Sequence, residues 1–452
     1  MTPQKRRISF IFICLCALYY FALTGFAFAS AEQKALKVDG RRLEQRLEEL
    51  SLIGRNQQGG VDRVAFSEAN LKAREHVMSL MRELGLKVRI DEAGNISGRR
   101  EGSGKNLPPI LFGSHLDTVP NGGKYDGALG VLAALECIET LEENGVKTRH
   151  PLEVVVFSDE EGGTIGSRAM RGEFPPEALD VTSQSGKTIR EGVRFLGGDP
   201  ENLDRAARRP GDIAAFLELH IEQGGILASR KIDIGIVEGI VGISRWEVTI
   251  EGASNHAGTT PMALRRDALL AASHLVIAVN KVVTAVPGSQ VGTVGKIRVE
   301  PGAPNVISGF VSMTVELRDL AEAKVRSLYD QIRREAVLIQ EKTGTRISFA
   351  ELGPPSLPAP TDARIRRCLG EAVRELGLST EVMPSGAGHD AQNIARIAPM
   401  GMIFIPSVGG ISHSPQEYSR PEDIEHGTNV LLLAILKIDQ GCLEETGPIS
   451  FF

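Results

Sequence analysis

The stretch Gly113-Ser-His-Leu-Asp-Thr-Val-Pro120, followed by Lys124-Tyr-Asp-Gly-Ala-Leu-Gly130, sets the reading of this chain. The apolar run Pro109-Ile-Leu-Phe112 just before it reads as a buried strand. That strand ends in His115 and Asp117, which alternate with Leu116. Side chains two apart on a strand share a face, so the imidazole and the carboxylate point to one spot. A turn rich in Gly, Pro and Asn leads to Asp126, and a helix is predicted from Gly127 to about residue 143. These groups lie at the carboxyl end of a strand in an α/β pattern, where ligands collect in open α/β sheets. A neutral imidazole suits zinc, manganese or cobalt, and carboxylates suit any hard or borderline divalent ion. The same spacing also arises in surface turns with incidental polar residues, so the motif needs partners elsewhere in the chain.

Three further stretches offer them. The strand Leu152-Glu-Val-Val-Val-Phe157 ends in Ser158-Asp-Glu-Glu-Gly-Gly163. Glu160 and Glu161 are adjacent and point different ways, so one can hold a cation while the other takes a proton from water. Acidic pairs near turns are commonly just solvated, but two such clusters after two apolar strands favour chemistry. Phe216-Leu-Glu-Leu-His-Ile-Glu-Gln-Gly224 brings His220, a further ligand or else a satisfied structural histidine. Gln223 faces the same cleft if that segment is helical. The apolar strand Met400-Gly-Met-Ile-Phe-Ile-Pro406 leads into Gly409-Gly-Ile-Ser-His-Ser-Pro415, which puts His413 in a loop.

Helices are expected over residues 38–56 and from the capping Ser67 to Leu84, with short strands at Val88–Ile90 and Asn95–Gly98. Alternating strands and helices of this kind predict an α/β domain with a mostly parallel sheet covered by helices. At 452 residues the chain exceeds what one core usually serves. Near Val241 the pattern changes. Strand Trp246–Glu251, helix Arg266–Val283, strands Gln290–Val299 and Val306–Leu317, helix Ala321–Lys342 and strand Thr345–Glu351 make a βαββαβ unit. An inserted domain over 241–354 is therefore expected, bounded by Pro354-Pro-Ser-Leu-Pro-Ala-Pro360. It interrupts a discontinuous domain of residues 33–240 and 355–452.

A formal net charge of −6 argues against a nucleic-acid binder, which needs a basic face for phosphates. At the N-terminus, Lys5-Arg-Arg7 precedes an apolar run from Ile8 to Phe28 and the small-residue exit Ala27-Phe-Ala29. This describes a secretory signal peptide over residues 1–29, which sends the mature chain to the periplasm, the medium or, in a eukaryote, the secretory pathway. The run is also long enough for an uncleaved membrane anchor. Cys14 and Cys16 fall in this leader. Cys137, Cys368 and Cys442 are scattered and odd in number, so no disulfide framework or thiolate site is expected.

The ordered set His115-x-Asp117, Asp126, Glu160-Glu161, His220 and His413 resembles the two-metal aminoacylase/carboxypeptidase superfamily of amidohydrolases. Phe216–Gly224, Gly252-Ala-Ser-Asn-His-Ala-Gly-Thr-Thr-Pro-Met262 and Glu316-Leu-Arg-Asp319 are similar to its hydantoinase/carbamoylase branch. That branch contains N-carbamoyl-L-amino acid hydrolases, allantoate and ureidoglycolate amidohydrolases, and β-ureidopropionases. The resemblance implies a phosphorylase/hydrolase-like catalytic domain with a ferredoxin-like lid that also forms a homodimer. It implies that His115, Asp126, Glu161, His220 and His413 bind two divalent ions, zinc, manganese or cobalt, with Asp126 bridging. Glu160 would be general base and then acid, and Asp117 would orient His115. His256 would reach across the dimer to the oxyanion. Arg318 would pair with a substrate carboxylate, although the residues alone also allow a surface ion pair with Glu316 or Asp319. Gln223, Asn305, Gly388 and His389 would line the substrate pocket. Relatives in the branch commonly carry a longer segment with an Arg-Phe element after the Glu pair; here Glu161 runs through Gly162-Gly-Thr-Ile-Gly166 to Ser167-Arg-Ala-Met170, which alters the pocket wall. The implied reaction is hydrolysis of an N-carbamoyl-L-amino acid, with allantoate, a ureidoglycolate-type ureide or an N-acyl amino acid as alternatives. A dipeptide-cleaving peptidase and a non-catalytic carboxylate-binding protein of the same fold stand as the other readings.

Overall fold

The structure is a computed structural model that describes residues 36–353 and 355–444, so the expected leader at 1–29 lies outside the described residues. The chain divides into two units, Met1–Lys37 and Val38–Phe452. The described residues of the second unit form a nine-stranded, a four-stranded and a two-stranded sheet, with helices around them.

Four apolar runs make the centre of the larger sheet: β3 (Ile110–His115), β4 (Leu152–Phe157), β5 (Ala215–Ile221) and β12 (Met400–Ile405). Every residue in these strands is buried, which is why each reads as a continuous apolar run rather than an alternating one. They pair in parallel in the order β4-β3-β5-β12. The margins are antiparallel. On one side lie β2 (Ile96–Arg100) and β1 (Lys87–Ile90). On the other is β6 (Ile234–Ile240), which pairs with β12, with the short strand Ala359–Pro360 and, in parallel, with β11 (Thr380–Ser385). The sheet is thus mixed, and parallel at its centre, where His115 and His220 lie.

Helices α1 (Gly40–Ser51), α3 (Ala128–Glu143), α6 (Ala363–Glu375) and α7 (Pro421–Asp439) pack as a connected layer on this sheet. Asp39 caps α1, accepting from Arg41 N and Arg42 N, and Ser67 caps α2 (Glu68–Glu83). Glu136 of α3 is wholly buried and takes two guanidinium bonds of 2.8 Å from Arg42, a bidentate pair that pins α1 to α3. The disulfide Cys368–Cys442 ties α6 to the chain beyond α7. This corrects the expectation of no disulfide framework: two residues 74 apart in sequence meet because α6, which carries Cys368, packs against α7, and Cys442 follows α7 closely. Cys137 is free and buried, as expected of a core residue.

The second sheet has the order β10-β7-β9-β8 and is antiparallel throughout. Its strands are β7 (Gly242–Glu251), β8 (Val291–Glu300), β9 (Phe310–Asp319) and β10 (Arg346–Glu351), with α4 (Ala268–Thr284) and α5 (Glu322–Thr343) between them. Burial alternates strictly along β9, so Val311, Met313, Val315 and Leu317 turn inward to a core shared with α4 and α5. The βαββαβ order read from the pattern is the order observed. The expected strand 306–317 is split in two: Val306–Ile307 pairs with Asn255–His256, and β9 begins after Gly309.

Candidate metal centre

Sheet register assembles the site. Phe112 of β3 lies opposite Leu217 of β5, three residues before His115 and His220 respectively. His115 lies opposite Phe157 of β4, so Glu160 and Glu161 follow at the same end. His220 lies opposite Phe404 of β12, nine residues before His413.

The groups converge on Asp126. Its Oδ1 stands 3.4 Å from His115 Nε2 and 3.3 Å from His220 Nε2. Its Oδ2 stands 3.3 Å from His413 Nε2, which is 3.6 Å from Glu161 Oε1. Two donor triads result, His115–Asp126–His220 and Asp126–Glu161–His413, each with ligand atoms within 4.8 Å of one another. His115 Nδ1 is bonded at 3.0 Å to the carbonyl of Asp117, and His220 Nδ1 at 2.9 Å to that of Ile221. Both imidazoles therefore donate through Nδ1 to a main-chain carbonyl and turn Nε2 toward Asp126. The donors fit a divalent cation, and Glu161 Oε1 supports this directly: it is buried and no hydrogen-bond donor reaches it.

Gly127 opens the helix after Asp126 with φ +64, and a Cβ there would run into the His115 ring. Glu160 Oε2 stands 3.8 Å from His115 Nε2, beside the triads. Burial, with Asp390, Glu161 and Asp117 nearby, pushes its carboxyl well above the usual carboxylate range against the pull of His115. Burial and Asp126 likewise raise Glu161 to about 7. The bond to Asp126, outweighing burial and helped by Glu161, raises His413 to about 9. At Asp126 burial is outweighed by His220, His115 and His413, and the carboxyl is held well below its usual range.

Asp117 differs from expectation in how it acts. Its carboxylate accepts the Glu161 N–H at 3.0 Å and lies 3.8 Å from His115 Nδ1, so its main-chain carbonyl orients the ring. Gln223 is not on a helix; it follows β5 with φ +59, and its Nε2 donates to Asp126 Oδ2 at 2.8 Å. His389 is buried, with its ring 4.6 Å from that of His220 and its Nε2 2.9 Å from Ser385 Oγ. Arg318 bonds Glu316 at 2.7 Å, as the surface reading had it, and also the carbonyl of Gly386 at 2.7 Å, two residues before Gly388. His256 is exposed, and its bonding partners all lie in its own loop: Nδ1 accepts from Gly258 N and Thr259 N, which leaves Nε2 to carry the proton. Asn305 is also exposed beside it, its carbonyl accepting from Ala257 N.

Sequence reasoning passed over several buried acids, among them Glu218, Asp390 and Asp159. Glu218 bonds Ser114 at 2.7 Å and Asp390 bonds Ser167 at 2.5 Å, each leaving one carboxylate oxygen without a partner, and neither oxygen of Asp159 has one. Burial, with Asp117 and Asp390, raises Asp159 to about 8. Glu218 alternates with His220 on β5, a shared-face signal that could have found it.

Residues 111–437 match the model of the peptidase family M20/M25/M40. The chain is 43% identical over 410 residues to an N-carbamoyl-L-amino acid amidohydrolase of Geobacillus stearothermophilus, covering 89% of this chain and 100% of that one. It is 38% identical over 416 residues to a ureidoglycolate hydrolase of Arabidopsis thaliana, covering 89% and 87%. A solved hydantoinase/carbamoylase family amidase of Burkholderia multivorans superposes with a TM-score of 0.83 at 36% identity, over 89% of this chain and 98% of that one. Family, identity and site geometry agree: the chain belongs to the peptidase family M20/M25/M40, in its hydantoinase/carbamoylase branch.

Proposed function

We propose that this chain is a metal-dependent amidohydrolase that cleaves N-carbamoyl-L-amino acids to the amino acid, ammonia and carbon dioxide. The observation that carries the reading is Asp126, whose two oxygens face two different histidine groups. That arrangement suits two divalent ions, zinc, manganese or cobalt, held by His115, Asp126 and His220 on one side and by Asp126, Glu161 and His413 on the other. When bound, such ions polarise the carbonyl and lower the pKa of water.

The remaining work falls to the chain. Glu160 accepts the proton of the attacking water and delivers it to the leaving amine; the carbamic acid then breaks to ammonia and carbon dioxide. His256, with its proton on Nε2, donates to the developing oxyanion. Arg318 pairs with the substrate carboxylate. Gln223 Oε1, buried and without a partner, accepts from the ureido N–H, and Asn305, Gly388 and His389 complete the pocket. Residues 241–354 serve as lid and dimer-forming domain, which brings His256 of one copy to the site of the other. Support for a second copy comes from β8, an edge strand with Val291 and Ile297 about half exposed. Export by residues 1–29 is supported by the disulfide, which persists in oxidising compartments.

The test is a panel of N-carbamoyl-L-amino acids, allantoate, ureidoglycolate, N-acyl amino acids and dipeptides, run on chain loaded with each metal. The highest kcat/KM is expected with carbamoyl amino acids. Preference for dipeptides turns the reading to a peptidase, and tight binding without turnover turns it to a binding protein. The relative at 38% identity makes ureidoglycolate the second substrate to try.

A further inference from the structure

Glu417 was not among the residues singled out from sequence, yet it bonds both Asp126 and Ser412, the residue before His413. It is buried, with 4% exposure. Its Oε1 accepts the main-chain N–H of Tyr125 at 2.9 Å and of Asp126 at 3.1 Å. Its Oε2 accepts the Ser412 hydroxyl at 2.8 Å, and that hydroxyl lies 3.2 Å from Asp126 Oδ2. Ser412 precedes His413, which is held at φ +53, a conformation a non-glycine residue keeps only when its surroundings impose it. At Gly123 a Cβ would run into the Glu417 side chain, so the turn before Asp126 is shaped around this carboxylate. One side chain thus bonds two loops whose metal-facing residues are 287 positions apart in numbering, Asp126 and His413.

We infer that Glu417 is a positioning residue that clamps the Asp126 turn to the His413 loop and so sets the spacing of the Asp126–Glu161–His413 triad. It touches no substrate. The inference rests on the reading of Asp126 and His413 as metal ligands, and the experiment separates the two. Zinc binding to the full chain is measured by competition with a chromophoric chelator for the unsubstituted protein, Glu417→Ala, Glu417→Asp and Glu417→Gln. Alanine removes the clamp, and aspartate keeps the charge but is one methylene too short to span both loops. Both are expected to weaken zinc binding about 10–100-fold. Glutamine keeps an oxygen for the two N–H groups and an amide for Ser412, and is expected to bind close to the unsubstituted chain. Saturating metal should restore turnover to Glu417→Asp, which a folding defect would not allow. If Glu417→Ala does not fold, Glu417→Asp carries the test. Unchanged affinity in Glu417→Asp, or Glu417→Gln as weak as the aspartate variant, overturns the clamp. Failure of the unsubstituted chain to bind zinc, manganese or cobalt overturns the metal reading beneath it.

Discussion

In the proposed reaction Asp126 and Glu160 have different tasks, ligand and proton carrier. The three imidazoles hold the Asp126 carboxyl well below its usual range, while burial raises that of Glu160. On this division Glu160→Gln keeps the ligand set intact and removes the proton carrier. Its kcat is expected to fall by about 10²–10⁴ while metal content, measured by mass spectrometry of the dialysed protein, stays unchanged. Metal lost along with activity would place Glu160 among the ligands. His256 is the other side chain whose role is open to a clean measurement. His256→Ala is expected to lower kcat by roughly 10²–10³ with little change in KM. If it serves the site of a second copy, mixing inactive His256→Ala and Glu160→Gln chains should regenerate activity, since one mixed site then holds both intact residues. Mixtures that stay inactive after exchange of subunits are verified point to a role within one chain, or none.

Among the elements, the parallel strands do the positioning and the helix ends do the fastening. Strands buried on both faces have no register freedom, because a slip of one residue would exchange every buried side chain. His115 and His220 inherit that rigidity. Helix α6 shows how its end is fastened. Asp362 caps it, accepting from Arg364 N at 2.8 Å, and pairs with the Arg364 guanidinium at 2.7 Å. Burial works against the charged form, but the bonds from Arg364 outweigh it and hold the Asp362 carboxyl below its usual range. A carboxylate lowered on folding adds stability above its unfolded pKa, and that stability is lost as pH falls through the folded value. Asp362→Ala is therefore expected to cost about 1 kcal/mol at pH 7 in urea unfolding. The difference from the unsubstituted chain should shrink as pH falls below about 4. An equal difference at neutral and acid pH would show that the charge is irrelevant to the cap.

Among the described residues the disulfide is the one covalent cross-link, joining Cys368 to Cys442 over 74 positions. Cross-linking so long a loop restricts the unfolded chain, and Cys368→Ser is expected to lose about 2–4 kcal/mol. The variant should melt at a lower temperature than the oxidised protein, and reductant should lower the melting point of the unsubstituted chain but not of the variant. A melting point indifferent to both shows the bond to be dispensable. Among the described residues no helix is long and apolar enough to cross a membrane.

Much of this was legible along the chain because its causes are local. Three of the four central apolar runs, at β3, β4 and β12, announce buried strands, the alternation from Trp246 to Glu251 in β7 announces a further strand, and Ser67 announces the start of α2. His115 and the Glu pair could be picked out because each follows an apolar run within a few residues, and Asp126 because it stands between a turn and the start of a helix. Long-range packing supplied the rest. Nothing near Leu217 says that it lies opposite Phe112, yet that pairing aligns His220 with His115. Nothing near Cys442 points to Cys368, and nothing in Ser-Pro-Gln-Glu-Tyr marks Glu417 as the acid beneath Asp126. Those partners are chosen by the one arrangement of strands and helices that buries every apolar face together, a condition set by the folded chain as a unit and by no short stretch of it.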